Sequence, residues 1–171
     1  MLFRTKMDVG RYCEASLKAL LSSEREPVWE ALRAVCEDRA LSSIERQTYY
    51  RHLRAIYVEL VLIAITKTFG WTVSSDAHFC VMDYLGKHGL ADISSLAGQY
   101  GQAFGSSSLD GVTAMVSFFD RELTQSNLST GTAQRLVKEF YQILRDLFDK
   151  DFKSLKLTAK TRRSASLLSQ K

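Results

Sequence analysis

Apolar residues recur at spacings of three and four along most of this chain, which is the period of the α-helix. The only proline among the 171 residues, Pro27, suits the first turn of a helix, and no segment shows the alternation of a strand. The pattern therefore predicts an all-α protein, a single-domain bundle of about six to seven helices. We assign the helical domain to residues 1–160 and expect residues 161–171 to form a basic, Ser-rich, frayed tail.

The longest predicted helix covers about residues 43–69, and Gly70 follows it as a C-terminal cap. From Ala55 to Ile65 every residue except Glu59 is apolar. A helix that is apolar on all sides has to be surrounded by others, so we predict that this is the central helix of the bundle. Its apolar run is about half of the ~20 residues that a bilayer requires, so no membrane contact is expected.

Shorter helices are predicted on both sides of the central one. The first fits Asp8–Leu21, and another fits Ser75–His88 with Gly89 as its C-terminal cap. The Gly- and Ser-rich stretch 98–111 allows two interpretations: a helix whose glycines let a neighbouring backbone come close, or a mobile loop. We favour a short helix to about residue 104, followed by a loop.

The last predicted helix covers about residues 131–160. Its apolar stripe runs at spacings of three and four through Val137, Tyr141, Leu144, Phe148, Phe152, Leu155 and Ala159. A helix of this length extends beyond a compact body, so Phe152, Leu155 and Ala159 are predicted to bind a partner. We therefore expect a non-enzymatic helical module that binds protein, as a regulatory or assembly subunit, with a homodimer as one form of that association.

The net charge of +4 is concentrated at the C-terminus, since residues 151–171 hold six of the 23 Lys and Arg residues but one of the 19 acidic ones. On the predicted helix these bases form a ridge beside the apolar stripe. On the central helix, arginines alternate with tyrosines, as in surfaces that stack bases and neutralise phosphates. An alternative function is therefore nucleic-acid binding, through Arg46, Arg51, Arg54, Lys153, Lys156, Lys160, Arg162 and Arg163. The other interpretation, in which these bases are only solvated, stays open.

The segment RQTYYRH, from Arg46 to His52, is similar to the Arg-x(4–6)-His catalytic signature of HEPN-type ribonucleases, which are small all-helical proteins. The resemblance implies that Arg46 and His52 form a catalytic pair, completed across a dimer, in a reaction that needs no metal. Directly after the arginine, where the family often carries Asn, Asp or His, this chain has Gln47. A ribonuclease of this kind is the second alternative function.

Other residues give little support for chemistry. The densest set of possible metal ligands contains His78 and Cys80, which are two residues apart and point in opposite directions on a helix. The three cysteines include no CxxC pair, which favours a reducing, cytoplasmic location. We therefore predict no metal site and no cofactor.

Overall fold

The computed structural model describes residues 5–22, 43–106, 111–123 and 130–159. In chain order its elements are β1 (Thr5–Asp8), α1 (Val9–Ser22), α2 (Ser43–Phe69), α3 (Trp71–Lys87), α4 (Ala91–Ser106), α5 (Gly111–Leu123), α6 (Thr130–Ser154) and β2 (Leu155–Thr158). The six helices of this part of the chain pack into one domain, which confirms the predicted all-α fold. The helix predicted to begin at Pro27 and the tail predicted over residues 161–171 lie outside the described residues.

α2 is the central helix, and its bounds confirm the predicted range. It packs against α3, α4 and α6. Ala55, Ile56 and Val61 point in three directions about 120° apart around the helix axis, and all three are fully buried. The core therefore lies on every side of α2. Among the described residues, no helix is long and apolar enough to cross a membrane.

Two glycines in the left-handed region separate α2, α3 and α4. Gly70, with φ of 77°, is the single residue between α2 and α3, and its carbonyl accepts a hydrogen bond of 3.1 Å from the amide of Ser74. Gly89, with φ of 70°, ends α3 as predicted. α3 begins at Trp71, four residues before the predicted start. The reason is that one residue at positive φ both ends α2 and turns the chain into the next helix.

α4 continues through the glycine-rich stretch to Ser106, which confirms the helical interpretation for residues 98–106; residues 107–110 lie outside the described part. At Gly101 the predicted close approach is observed, because an added Cβ would lie 2.6 Å from Oε1 of Glu59 on α2. Gly98 and Gly105 have no atom within 4 Å of such a position. Close packing between α2 and α4 therefore requires a glycine at position 101, but not at positions 98 and 105.

The first helix is fixed by a side-chain cap. Oδ1 of Asp8, the last residue of β1, accepts hydrogen bonds from the amides of Gly10 at 2.9 Å and Arg11 at 3.2 Å. On its inner side Val9, Cys13 and Leu17, spaced four apart, are fully buried. The predicted start of this helix near Asp8 is therefore confirmed.

The C-terminal part of the chain corrects two predictions. α6 ends at Ser154 instead of about residue 160, and residues 155–158 form β2, a strand that was not predicted, which pairs in parallel with β1. Met7 is the register partner of Leu157, and Leu157 is buried. The apolar spacing fits a longer helix, but the alternation of apolar and polar residues over 155–158 also fits a half-buried strand. The strand forms because β1, which lies 150 residues earlier in sequence, pairs with it.

Candidate interaction surface

The period of its apolar residues gives α3 an inner and an outer side. Ala77, Val81 and Leu85, spaced four apart, are fully buried, and α3 packs against α1 and α2. A residue two positions from Val81 points about 200° away from it around the helix. Phe79 is such a residue, and it therefore points away from the core.

The outer side of α3 exposes two large aromatic side chains, since Trp71 is 81% exposed and Phe79 is 67% exposed. They lie within about 80° of each other around the helix, together with a serine, a methionine and a glycine. We call this set the α3 face; its members are Trp71, Ser75, Phe79, Met82 and Gly86. Met82 is half-buried and the other four are exposed. At Gly86 an added Cβ would meet no atom within 4 Å, so this end of the α3 face is open.

The sequence predicts the direction of only one of the two aromatic side chains. Phe79 lies inside the predicted helix Ser75–His88, and the apolar positions 77, 81 and 85 already place it on the opposite side. Trp71 lies before that range, so its direction depends on where α3 begins. Neither residue was predicted to belong to a site, although the period of α3 already indicates the outward direction of Phe79.

A smaller apolar pair lies on the outer side of α6. Ile143 and Leu147, four residues apart, are 41% and 42% exposed. Exposed polar residues lie next to them, and Gln142 donates a hydrogen bond of 2.9 Å to Asp146. Scattered aliphatic side chains among polar neighbours are normal on a protein surface. This pair therefore serves as a comparison for the α3 face.

The residues predicted to bind a partner, Phe152, Leu155 and Ala159, are largely covered by this chain itself. Phe152 is buried, with its ring centroid 5.5 Å from that of Tyr12 on α1 and 4.9 Å from that of Phe69 on α2. Leu155 and Ala159 are half-buried. The prediction assumed a helix that extends beyond the body, whereas α6 ends within it. These three residues therefore do not form an exposed apolar stripe.

The arginines of α2 that were predicted to bind nucleic acid lie in different environments. Arg51 pairs with Asp92 of α4, with 3.1 Å between Nε and Oδ2. Arg54 is half-buried, and its Nε has no hydrogen-bond partner among the described residues. The side chain of Arg46 lies outside the described part. One of the two described arginines is thus already neutralised by a carboxylate of this chain.

The basic residues near the C-terminus do not form one helical ridge. Lys153 is exposed on the last turn of α6, but Lys156 is exposed on β2, so the predicted helical spacing ends between them. The strand register instead places Lys156 beside Lys6 of β1, which is also exposed. The two strands lie about 5 Å apart, so two ammonium groups share one side of the strand pair. Outside the described residues lie Lys160, Arg162 and Arg163.

His52, one member of the predicted ribonuclease pair, lies in the core and is 7% exposed. Its Nδ1 is 2.8 Å from the hydroxyl oxygen of Tyr100 on α4, and its ring is nearly perpendicular to that of Phe119 on α5, with 5.8 Å between the centroids. Burial, and to a lesser degree the charge of Arg51, lowers the pKa of His52 to about 4, so the imidazole is neutral at pH 7. A catalytic base has to reach its substrate. The enclosed position of this ring favours a structural role instead.

Glu59 is the charged residue inside the apolar run of α2, and it is half-buried against Gly101 of α4. Burial raises the pKa of Glu59 to about 7, and no cation among the described residues offsets this effect. Carboxyl groups with raised pKa values often belong to functional sites. Here, however, His52 lies two helical turns away, about 10 Å along α2. The two groups therefore do not form an acid–base pair.

A groove of about 340 Å³ lies between α2 and α6, with Phe148 among its apolar walls. Its charged residues already have neighbours within the chain. Nε of Arg145 is 4.0 Å from Oδ2 of Asp149, and Nζ of Lys67 lies 5.2 Å from the centroid of the Phe104 ring. Because these groups do not converge on an open position, the groove is a weaker candidate for a site than the α3 face.

Within residues 5–22, 43–106, 111–123 and 130–159, no three His, Cys, Asp or Glu side chains are placed to hold a metal ion. Comparisons with models of protein families, with curated protein sequences and with solved structures found no match for this chain. The function of this chain therefore has to be inferred from its own surface and interior.

Proposed function

We propose that this protein is a helical protein-interaction module, without catalytic chemistry of its own, whose binding surface is the α3 face. The observation that supports the proposal is the exposure of Trp71 and Phe79 on one side of a single helix. Covering an aromatic side chain of this size stabilises a complex by roughly 2–3 kcal/mol. Tryptophan is also among the residues that contribute most to protein interfaces. In this proposal the chain is a regulatory or assembly subunit.

The α3 face is carried by a rigid element, which favours binding. The inner side of α3 is packed into the core through Ala77, Val81 and Leu85, and the helix is bounded by Gly70 and Gly89. A partner that covers Trp71 and Phe79 therefore orders few additional backbone groups. Pre-ordered surfaces bind more tightly because less conformational entropy is lost on association.

The test is affinity capture from cells that contain the protein, with the wild-type chain and a Trp71→Ala/Phe79→Ala double variant as baits. We expect the wild type to capture proteins that the double variant does not capture. A second copy of this chain counts as one of these proteins. An Ile143→Ala/Leu147→Ala double variant is the matched control, because it also removes two exposed apolar side chains. The proposal fails if the α3 variant retains every partner of the wild type, or if the control loses the same partners.

A second candidate function, nucleic-acid binding, is favoured by the position of Lys6 beside Lys156. Like charges side by side on paired strands destabilise the pair, and a bound phosphate removes this repulsion. Lys153 precedes β2, and further bases follow it in sequence. If about five of these bases contact phosphates, the logarithm of the binding constant falls with the logarithm of salt concentration with a slope of about −4 to −5.

This candidate is tested by fluorescence anisotropy of a labelled DNA duplex over a range of salt concentrations. We expect a Lys6→Gln/Lys156→Gln double variant to bind less tightly than the wild type and to reduce the salt slope by about 2. Lys138→Gln, which removes an exposed lysine from α6, is the control and should bind as the wild type does. Equal binding by all three proteins, or no binding at low salt, rules this candidate out.

A further inference from the structure

The α3 face is complementary to the same face of a second copy that runs in the opposite direction. α3 spans Trp71–Lys87, so Phe79 is its middle residue. When two such helices pack antiparallel with Phe79 at the two-fold axis, each residue lies opposite the residue equally far on the other side of Phe79. An antiparallel pair therefore brings the first turn of one α3 against the last turn of the other.

Antiparallel pairing matches large side chains with small ones. Trp71 lies opposite Lys87, and the next residue of the other helix toward Phe79 is Gly86, where no atom occupies the space around an added Cβ, so the exposed indole ring has room there. Met82 lies opposite Asp76, one residue from the small Ser75 of the other helix. A parallel pair instead sets Trp71 against Trp71 and Gly86 against Gly86, which crowds one end and leaves a void at the other. The sizes of these side chains therefore favour the antiparallel arrangement.

The charges of α3 agree with the same arrangement. Nζ of Lys87 lies 2.6 Å from Oδ2 of Asp83 on its own helix, and both side chains are exposed. In the antiparallel pair Asp83 lies opposite Ser75, whose hydroxyl is a hydrogen-bond donor. No like-charged side chains of α3 face each other.

We propose that the partner of the α3 face is a second copy of this chain, packed antiparallel across Phe79 in a two-fold homodimer. The inference rests on the proposed function, because it uses the same surface. Two-fold interfaces are built from one self-complementary patch, which is the property found here. α3 is about 25 Å long, and one helix pair buries less than the roughly 1,600 Å² of a standard interface. The dimer is therefore weak, and its population depends on concentration.

The geometry is tested by oxidative cross-linking of two variants, Ser75→Cys and Asp83→Cys, each alone and mixed. Because position 75 lies opposite position 83, we expect the mixture to give several-fold more cross-linked dimer than either variant alone. Oxidation of the wild type measures the background from the natural cysteines. Leu147→Cys, on the outer side of α6, measures random collisions of an exposed thiol.

Self-association is tested by sedimentation velocity over a wide concentration range. We expect the mass of the wild type to rise toward that of a dimer, and Trp71→Ala to weaken association about 30-fold. Leu147→Ala should associate as the wild type does. Thermal unfolding of each variant verifies that it is folded.

The outcomes separate this inference from the proposed function. Cross-links from Ser75→Cys alone that equal those of the mixture indicate a parallel pair and overturn the geometry. A wild type that stays monomeric, without cross-links in the mixture, overturns self-association. If capture still depends on Trp71 and Phe79 in that case, the proposed function stands with a different partner; if it does not, both proposals fail.

Discussion

Phe152 on α6 and Phe79 on α3 are the same type of residue on two long helices, but their environments are opposite. Phe152 is buried against Tyr12 and Phe69, which come from α1 and α2. Phe79 is largely exposed, and no described element of this chain packs over it. Apolar residues on a helix face thus indicate that the face packs against another surface. They do not indicate whether that surface belongs to the same chain.

The largest expected difference between Phe152 and Phe79 is in their contribution to the free energy of unfolding. Phe152→Ala removes a buried ring and leaves a cavity, so we expect the free energy of unfolding to fall by about 3–5 kcal/mol. Phe79→Ala, the matched substitution at the exposed site, should change it by less than about 0.5 kcal/mol. Urea denaturation of both variants measures the difference. Similar losses in the two variants would contradict the burial described for this pair.

The strand pair provides the next test, because β2 directly follows the helix that carries Phe152. Leu157 is buried and Lys156 is exposed, as expected for neighbours on a half-buried strand. We expect Leu157→Ala to lower the free energy of unfolding by about 2–4 kcal/mol, and Lys156→Ala to change it by less than about 0.5 kcal/mol. On a helix with Leu155 and Ala159 inward, position 157 points outward. A small effect of Leu157→Ala would therefore favour the helix and argue against β2.

The strand pair also shows why the sequence predicted some elements and not others. The bounds of α2 were predictable because its apolar run and Gly70 are local signals. β2 was not predictable, since its partner β1 lies 150 residues away and no local window of sequence contains both. The exposure of the predicted partner-binding stripe was not predictable for the same reason, because Phe152 is covered by residues distant in sequence, Tyr12 and Phe69.

The candidate site was predictable only in part. The outward direction of Phe79 follows from the period of Ala77, Val81 and Leu85. Trp71 could not be placed, because Gly70 acts both as the end of α2 and as the whole connection to α3. That no described element covers the α3 face depends on where the other described elements pack, and no pattern within α3 contains this information.

Glu59 is a polar group that the chain buries although its charged form is more stable in water. Its pKa is raised by burial from 4.5 to about 7, so the folded state holds its proton more tightly than the unfolded state. This group therefore lowers stability as pH rises from about 4.5 to 7, and the penalty is fully present above pH 7. Below about pH 4.5 the carboxyl is protonated in both states, and the penalty disappears.

Replacing Glu59 by glutamine removes this titration. We expect the difference in unfolding free energy between Glu59→Gln and the wild type to shift in favour of the variant by about 1–3 kcal/mol between pH 4.5 and pH 8. Glu14→Gln, which removes an exposed carboxyl group, is the matched control. Denaturant unfolding at several pH values gives these differences. If the unfolding free energies of Glu59→Gln and the wild type change with pH in the same way, Glu59 is better solvated than its position indicates.

The smallest expected effect concerns Leu147. This residue tests whether any exposed apolar side chain promotes self-association or only those of the α3 face. Leu147 is 42% exposed on the outer side of α6, next to Asp146 and other polar residues. We expect Leu147→Ser to change the free energy of unfolding by less than about 0.5 kcal/mol and to leave self-association unchanged. Phe79→Ser should also leave stability unchanged but should weaken self-association in sedimentation velocity. If both variants weaken association to the same extent, the α3 face is not the specific contact, and any exposed apolar residue of this chain contributes equally.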